Sequence, residues 1–280
     1  MNEQDLLKAI NDSGFPLQIG LKQLVRGNQK TWTVILTEHQ WIDPLKGEEK
    51  FIDLVLRQGA DDYPVRLVIE CKRSRETGWI FLREPGLSPG HDRPRSVRSR
   101  VVSISETWDR AGWWDIPFNP GFPKVSYCVI RKNRQRTDEL LERTAAELVR
   151  ATEALACQET SLFRRSGPSL PTIWSDFRRV YVPVIVTTAK LLVCDAVYEN
   201  LNLETGDVPA ANAAEEPIVT FTKSLVSINA DQSTDSRIEQ FSQQSERSVL
   251  IVQATDFLDF LSNFELSKER PDLLAYLLRR

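Results

Sequence analysis

The chain has 280 residues, 41% of them hydrophobic and 27% charged, with a net charge of −3 at pH 7. That composition suits one large α/β domain and excludes a disordered, collagenous or disulfide-stapled chain. Residues 1–5 are polar and acidic, so no secretory leader is expected, and the longest apolar stretch, 180–198, is broken by Pro183, Lys190 and Asp195 and reads as two strands rather than a membrane span.

In chain order, residues 5–10 read as a short helix ended at Gly14. Pro16 opens a second helix, since proline is tolerated in a first turn. Leu17, Leu21, Leu24 and Val25 of that helix share one face. Residues 31–41 read as a strand. Two apolar runs follow, Phe51-Ile52-Asp53-Leu54-Val55-Leu56 and Val65-Arg66-Leu67-Val68-Ile69-Glu70-Cys71-Lys72. Their β-branched content, with Gly59, Asp61, Asp62 and Pro64 between them, predicts a hairpin with a long loop. Residues 97–113 fit a helix with Val101, Ile104, Ser105 and Trp108 on one side, and 125–131 a strand. The strongest helical pattern covers 137–157, where Leu140, Leu141, Ala145, Leu148, Ala151, Thr152 and Leu155 recur at helical spacing. Two strands over 180–197 follow, then strands at 218–221 and 249–252 and a helix at 257–264. Strands on both sides of the long helix predict a single α/β domain over 1–280 with one mixed sheet flanked by helices. No clean boundary is visible, the best candidate lying near residue 158.

Three residues in the paired runs carry chemistry. Alternation along a strand points Glu70 and Lys72 the same way and Cys71 the other, with Asp53 on the neighbouring strand able to join them. Two carboxylates supply hard oxygen ligands for Mg²⁺, and a lysine beside them can orient water or balance charge on a phosphoryl group. Both runs are apolar on both faces, and carboxylates there are costly unless paired or metal-bound. A structural ion pair of Lys72 with Glu70 or Asp53 is the competing reading.

Asp53 followed by Glu70-Cys71-Lys72 resembles the PD-(D/E)XK nuclease superfamily, in an uncharacterised bacterial branch. The likeness takes in Gly14-Phe15-Pro16-Leu17-Gln18, Trp41-Ile42-Asp43-Pro44, Gly47, Ile52-Asp53, Ile69 to Lys72 and Trp79-Ile80-Phe81. It covers residues 14–82, and Tyr181 to Thr187 is similar to a late strand of the same branch. The resemblance implies a restriction-endonuclease-like core over about 14–135, with a C-terminal α/β elaboration that completes or extends the sheet. It implies catalysis by Asp53, Glu70 and Lys72 with Gln18 lining the pocket, and Mg²⁺ or Mn²⁺ held by Asp53, Glu70 and the carbonyl of Cys71. Many members carry a metal-binding glutamate where Gln18 stands, and often an acid where Phe51 stands. An amide is the weaker ligand, which argues against a second metal ion and opens the alternative of a catalytically degenerate module that binds nucleic acid or a partner protein.

Charge is unevenly spread. Residues 64–100 carry nine Lys and Arg against four acids, and residues 199–240 carry eight acids against Lys223 and Arg237. The basic stretch suits a polyanion, with 85–100 as a basic loop and Arg73, Arg75, Arg95 and Arg98 as phosphate contacts. A solvated polar loop explains the same composition. Trp108, Trp113 and Trp114 could stack on bases, though core packing is the commoner use. The scattered Cys71, Cys128, Cys157 and Cys194 lack metal-ligand spacing and fit a reducing, cytoplasmic setting. His39 and His91 stand apart from other ligands, which argues against zinc. The expected partner is nucleic acid, DNA before RNA, with no membrane, and a homodimer if one site is to cut both strands.

Overall fold

The computed structural model of the chain describes residues 2–28, 31–58, 65–74, 78–84, 96–105, 109–132, 135–136, 138–166, 177–196, 201–208, 213–225 and 245–267. Two helices open it: α1 (Glu3–Asp12), capped by the Asn2 side chain accepting from Asp5 N at 2.7 Å, and α2 (Phe15–Asn28). β1 (Trp32–Asp43), β2 (Glu48–Gln58) and β3 (Val65–Lys72) then pair antiparallel in that order, as the apolar runs predict. Asp43 closes the β1–β2 turn. Its carbonyl accepts from Gly47 N at 2.7 Å and its Oδ1 from Leu45 N at 3.1 Å, and Gly47 takes φ +67°, where a Cβ would be strained.

The rest of the chain adds β4 (Gly78–Arg83), β5 (Ser96–Ile104), β6 (Asp109–Asn119), β7 (Lys124–Val125), β8 (Tyr127–Lys132) and β9 (Gln135–Arg136). Next come α3 (Asp138–Ser166), β10 (Phe177–Thr187), β11 (Lys190–Asp195), β12 (Ala213–Glu215), β13 (Ile218–Ser224) and β14 (Glu246–Gln253). A 3₁₀ turn (Ala254–Asp256), α4 (Phe257–Asn263) and β15 (Glu265–Leu266) end it.

The central sheet runs β1-β2-β3-β10-β14-β13-β7. β10 lies parallel to β3 from Val180↔Val65 to Thr187↔Lys72. Its other edge is shared: the first half pairs with β5 antiparallel and the second with β14 parallel. The sheet therefore forks at β10, and β6 continues the β5 branch. A second sheet, β12-β11-β4-β8-β9, grows from the same two chain segments, since β4 and β11 continue β3 and β10 and remain parallel. The bend between the sheets is tied by Ser74 and Thr188: Ser74 N donates to Thr188 Oγ1 at 2.9 Å, and that hydroxyl donates to Ser74 O at 3.1 Å. The fold is thus mixed α/β, with a curled mixed sheet and four α-helices among the described residues. None of those helices is long and apolar enough to cross a membrane.

Each face of the sheet has its own core. α3 covers one, placing Leu141, Ala145, Leu148 and Leu155 against Val55, Val68, Tyr181, Ile185 and Ile251. α2 and α4 cover the other, where Leu21, Val25, Phe257, Phe260 and Leu261 meet Leu54, Ile69, Val184 and Leu250. The predicted face of α2 is the buried one, with Leu17 and Leu24 packed at its edge. Residue 158 lies within α3, one continuous helix, and β10, β13 and β14 from beyond it complete the central sheet.

One expected element differs. Residues 97–104 and 109–113 form no helix; they belong to the antiparallel strands β5 and β6, paired from Ser96↔Pro117 to Ile104↔Asp109. Both faces of β5 are covered: Val97 and Val101 pack on the α4 side, Val102 and Ile104 on the α3 side. Double burial hides the polar–apolar alternation that marks a strand. The expected loop over 85–100 accordingly ends at β5, which holds Arg98 and Arg100. Trp113 is core, its Nε1 donating to Glu153 Oε1 of α3 at 2.7 Å, and Trp108 lies outside the described residues.

α3 is held by charge as well. Asp43, fully buried, accepts from Arg150 Nη2 at 3.1 Å and lies 3.4 Å from Lys50 Nζ. Burial pushes the Asp43 carboxyl up, but Arg150, the Leu45 amide and Lys50 outweigh it and hold the pKa below the ordinary value. Removing one partner of a buried pair strands the other. Asp43→Ala should therefore lower unfolding free energy by about 3 kcal/mol in urea titration at pH 7. With the folded pKa below the unfolded one of about 3.9, this stabilisation is complete above that pH and fades as pH falls through the folded value. The Asp43→Ala protein should accordingly lose less stability than wild type on acidification below about pH 4.

Candidate active site

β2 and β3 bring the predicted carboxylates together. Their last register pair is Leu54↔Ile69, and one step on Asp53 stands opposite Glu70. Lys72 Nζ donates to Glu70 Oε1 at 2.6 Å, as the shared strand face predicts. Cys71 lies on the other side, packed against the core beneath α2, and its amide donates to Asp53 Oδ2 at 2.6 Å. Burial, then Asp53 and Glu70, push the Cys71 thiol well above its usual range, so it is an inert thiol rather than a nucleophile. Glu70 opens on a small cleft of ≈ 70 Å³ between the sheet and α3, with Trp41, Phe51, Ile52, Leu148 and Ala151 as its walls.

Gln18 reaches the site from α2. It is 7% exposed, and its Nε2 donates both to the Asp53 carbonyl at 2.9 Å and to Glu38 Oε1. With two acceptors to satisfy, only the amide nitrogen can face them. Glu38 is the residue that the motif reading missed. It lies on β1 between the pairs Thr37↔Leu54 and His39↔Ile52, which sets it opposite Asp53. Its φ is +49°, a left-handed conformation rare for a residue with a side chain. Glu38, Asp53 and Glu70 thus hold successive positions on three neighbouring strands, with Glu38 bonded to Gln18 on the α2 side and Glu70 bonded to Lys72 on the α3 side.

The electrostatics follow. Burial raises the Asp53 pKa first, then the charge of Glu70; the Cys71 amide and Lys72 pull it down, Glu38 pushes it up, and it settles at about 7. Lys72, the ammonium that pulls it down, is shared with Glu70. Glu70 and Lys72 are both partly exposed, so their mutual bond is worth little as a structural brace. Hard oxygen donors beside a carboxyl starved of positive charge fit a divalent cation. Among the described residues no three His, Cys, Asp or Glu side chains converge as a metal cluster. A cation here would be held by two carboxylates, with backbone oxygen and water completing its shell.

The basic residues are less gathered. Arg73 follows Lys72 directly and lies 3.8 Å from Asp12 at the end of α1. Arg98 is on β5, across β10 from β3, and donates to Asp115 Oδ2 of β6 at 3.1 Å. Arg75, Arg95 and His91 lie outside the described residues. His39 stands next to Glu38, its Nε2 bonded to Gln158 of α3 at 2.7 Å. Compared with protein-family models, curated proteins and solved structures, the chain matches none.

The raised Asp53 pKa has a measurable cost. The folded value exceeds the unfolded one of about 3.9, so Asp53 does not oppose folding below that pH and opposes it increasingly up to about 7. Asp53→Asn should melt higher than wild type at pH 8 and converge with it near pH 4 in scanning calorimetry without metal.

Proposed function

We propose that this chain is a metal-dependent nuclease with a restriction-endonuclease-like core, hydrolysing phosphodiester bonds with DNA as the expected substrate. The observation that carries the reading is the meeting of Asp53 and Glu70, at the ends of two buried apolar strands, with Lys72 beside them and Asp53 short of positive charge. Asp53, Glu70 and the carbonyl of Cys71 would hold Mg²⁺ or Mn²⁺, which supplies a Lewis acid and a more acidic bound water. Lys72 positions the attacking water and balances negative charge building on the phosphoryl oxygens. Its present bond to Glu70 keeps the ammonium on the cleft side of β3. Arg73, next along the chain, suits a flanking phosphate, and Arg75, Arg95 and Arg98 would extend that contact. The four free cysteines suit a reducing cytoplasm, and a homodimer would let one site serve each strand.

A second reading is a module of the same fold that binds nucleic acid or protein without cutting. The observations that favour it are the amide of Gln18 where an acid is common and the absence of a three-acid cluster among the described residues.

Cleavage of plasmid and single-stranded DNA in Mg²⁺, Mn²⁺ and chelator separates the two. The nuclease reading expects metal-dependent cutting that falls at least about a hundredfold in Asp53→Ala and in Lys72→Ala, with both variants folded. Cutting that survives in either purified variant removes this mechanism. Binding of DNA with no cutting in either metal supports the module.

A further inference from the structure

We propose that this chain pairs with a second copy of itself through its first two helices, α1 of each copy lying antiparallel on the exposed face of its partner's α2. This names the surface of the expected homodimer and does not rest on the catalytic reading.

An uncovered helix comes first. α1 has ten residues and buries none of them. A helix that short is marginal in water without a packed face. Its Leu6, Leu7 and Ile10 nevertheless share one side, and with Phe15 and Ile19 of α2 they stand 44–56% exposed. The joint between the helices, where Gly14 takes φ +79°, does not fold α1 back onto α2. Asp12, 3.8 Å from Arg73, holds the end of α1 near the end of β3 instead.

The charge pattern says what covers this face. On α2, Phe15, Ile19, Lys22 and Arg26 follow one line at steps of three and four, turned away from the buried Leu21 and Val25. That line is apolar in its first half and basic in its second. On α1, Glu3, Leu7 and Ile10 follow the matching line, acidic first and apolar last. The step from Glu3 to Ile10 equals the step from Ile19 to Arg26, each about 10 Å of helix rise. Laid antiparallel, Ile10 therefore meets Ile19 where Glu3 meets Arg26. Among the described residues, none of Glu3, Lys22 and Arg26 has an ionic partner in its own chain.

Both halves of this complementarity lie in one chain, so a single two-fold axis satisfies the two contacts at once. Other occupants suit the face less. α1 carries Glu3, Asp5 and Asp12 against Lys8, the wrong sign for an anionic lipid surface. β1 ends the central sheet, but a register shift between Val34 and Leu36 and the left-handed Glu38 break it, so it offers a second copy no regular ladder. Gln18 lies between Phe15 and Ile19 along α2, so the pairing would draw both candidate sites toward the same axis.

The test is sedimentation equilibrium of the full chain over about a hundredfold range of concentration. Wild type is compared with Ile19→Glu, Glu3→Lys, Arg26→Glu and the double variant Glu3→Lys/Arg26→Glu, with melting at the lowest concentration as the control for folding. The expected result is a wild-type dimer, a monomer for Ile19→Glu, association at least about tenfold weaker in each charge reversal, and recovery of most of that loss in the double variant. Recovery of association, rather than of melting, separates a contact between copies from one within a chain. A dimer that Ile19→Glu leaves intact overturns the proposal, as does a wild type that stays monomeric throughout; a monomer that sediments with phosphatidylcholine vesicles gives the face to a membrane instead. A double variant as weak as the single ones overturns the antiparallel pairing. If Ile19→Glu does not fold, the charge series decides: unchanged association in both reversals overturns the interface.

Discussion

The parallel pairing of β10 with β3 is the constraint on which the rest of the molecule depends. It holds from Val180↔Val65 to Thr187↔Lys72 and makes β3 an interior strand. A strand buried on both faces must be apolar on both, and the run Val65 to Ile69 is. The pairing also brings the polar end of β3 level with the end of β10, where the two chains bend together at Ser74 and Thr188. Glu70 and Lys72 therefore sit at the last turns of the ladder, where water can reach them, while everything before them is dry. The fork at β10 follows from the same strand, since it has one edge to give to two branches.

At that boundary the energetics of burial and of charge oppose each other. The sheet sets Asp53 beside Glu70 and brings Lys72 to the pair. Asp53 bears the conflict, held partly protonated by desolvation and by its acidic neighbours. A protein selected for stability alone would have little use for this arrangement, because an exposed Glu70–Lys72 pair contributes under about 1 kcal/mol. On the proposed reading, charge of opposite sign from outside the chain would resolve the conflict.

Much of this is legible in the residues. The β2–β3 hairpin followed from two β-branched runs around a polar loop, and the Glu70–Lys72 contact followed from strand period. The α2 face and the long helix followed from apolar spacing. The β5–β6 hairpin did not, because Arg100 and Ser103 lie inside it and its valines serve two different cores. Glu38 was hidden for another reason. Reading acids near Asp53 along the chain finds Glu48 and Glu49, but strand partners are found by counting outward from a turn. Asp43 with Gly47 marks that turn, and equal steps on either side of it pair residue 38 with residue 53. The backbone break at Glu38 left no comparable trace, since nothing in the local sequence demands a left-handed residue there.

The bend at Ser74 and Thr188 has a further consequence. β3 and β10 end side by side at the edge of the candidate site, and β4 and β11, again parallel, belong to the smaller sheet. Between separate domains a hinge is usually one flexible linker, free to swivel. Here two hydrogen bonds between Ser74 and Thr188 join the ends of two strands, so the smaller sheet is anchored to β3 and β10 together rather than to one of them. The smaller sheet is thus mechanically an outrigger of β3 and β10.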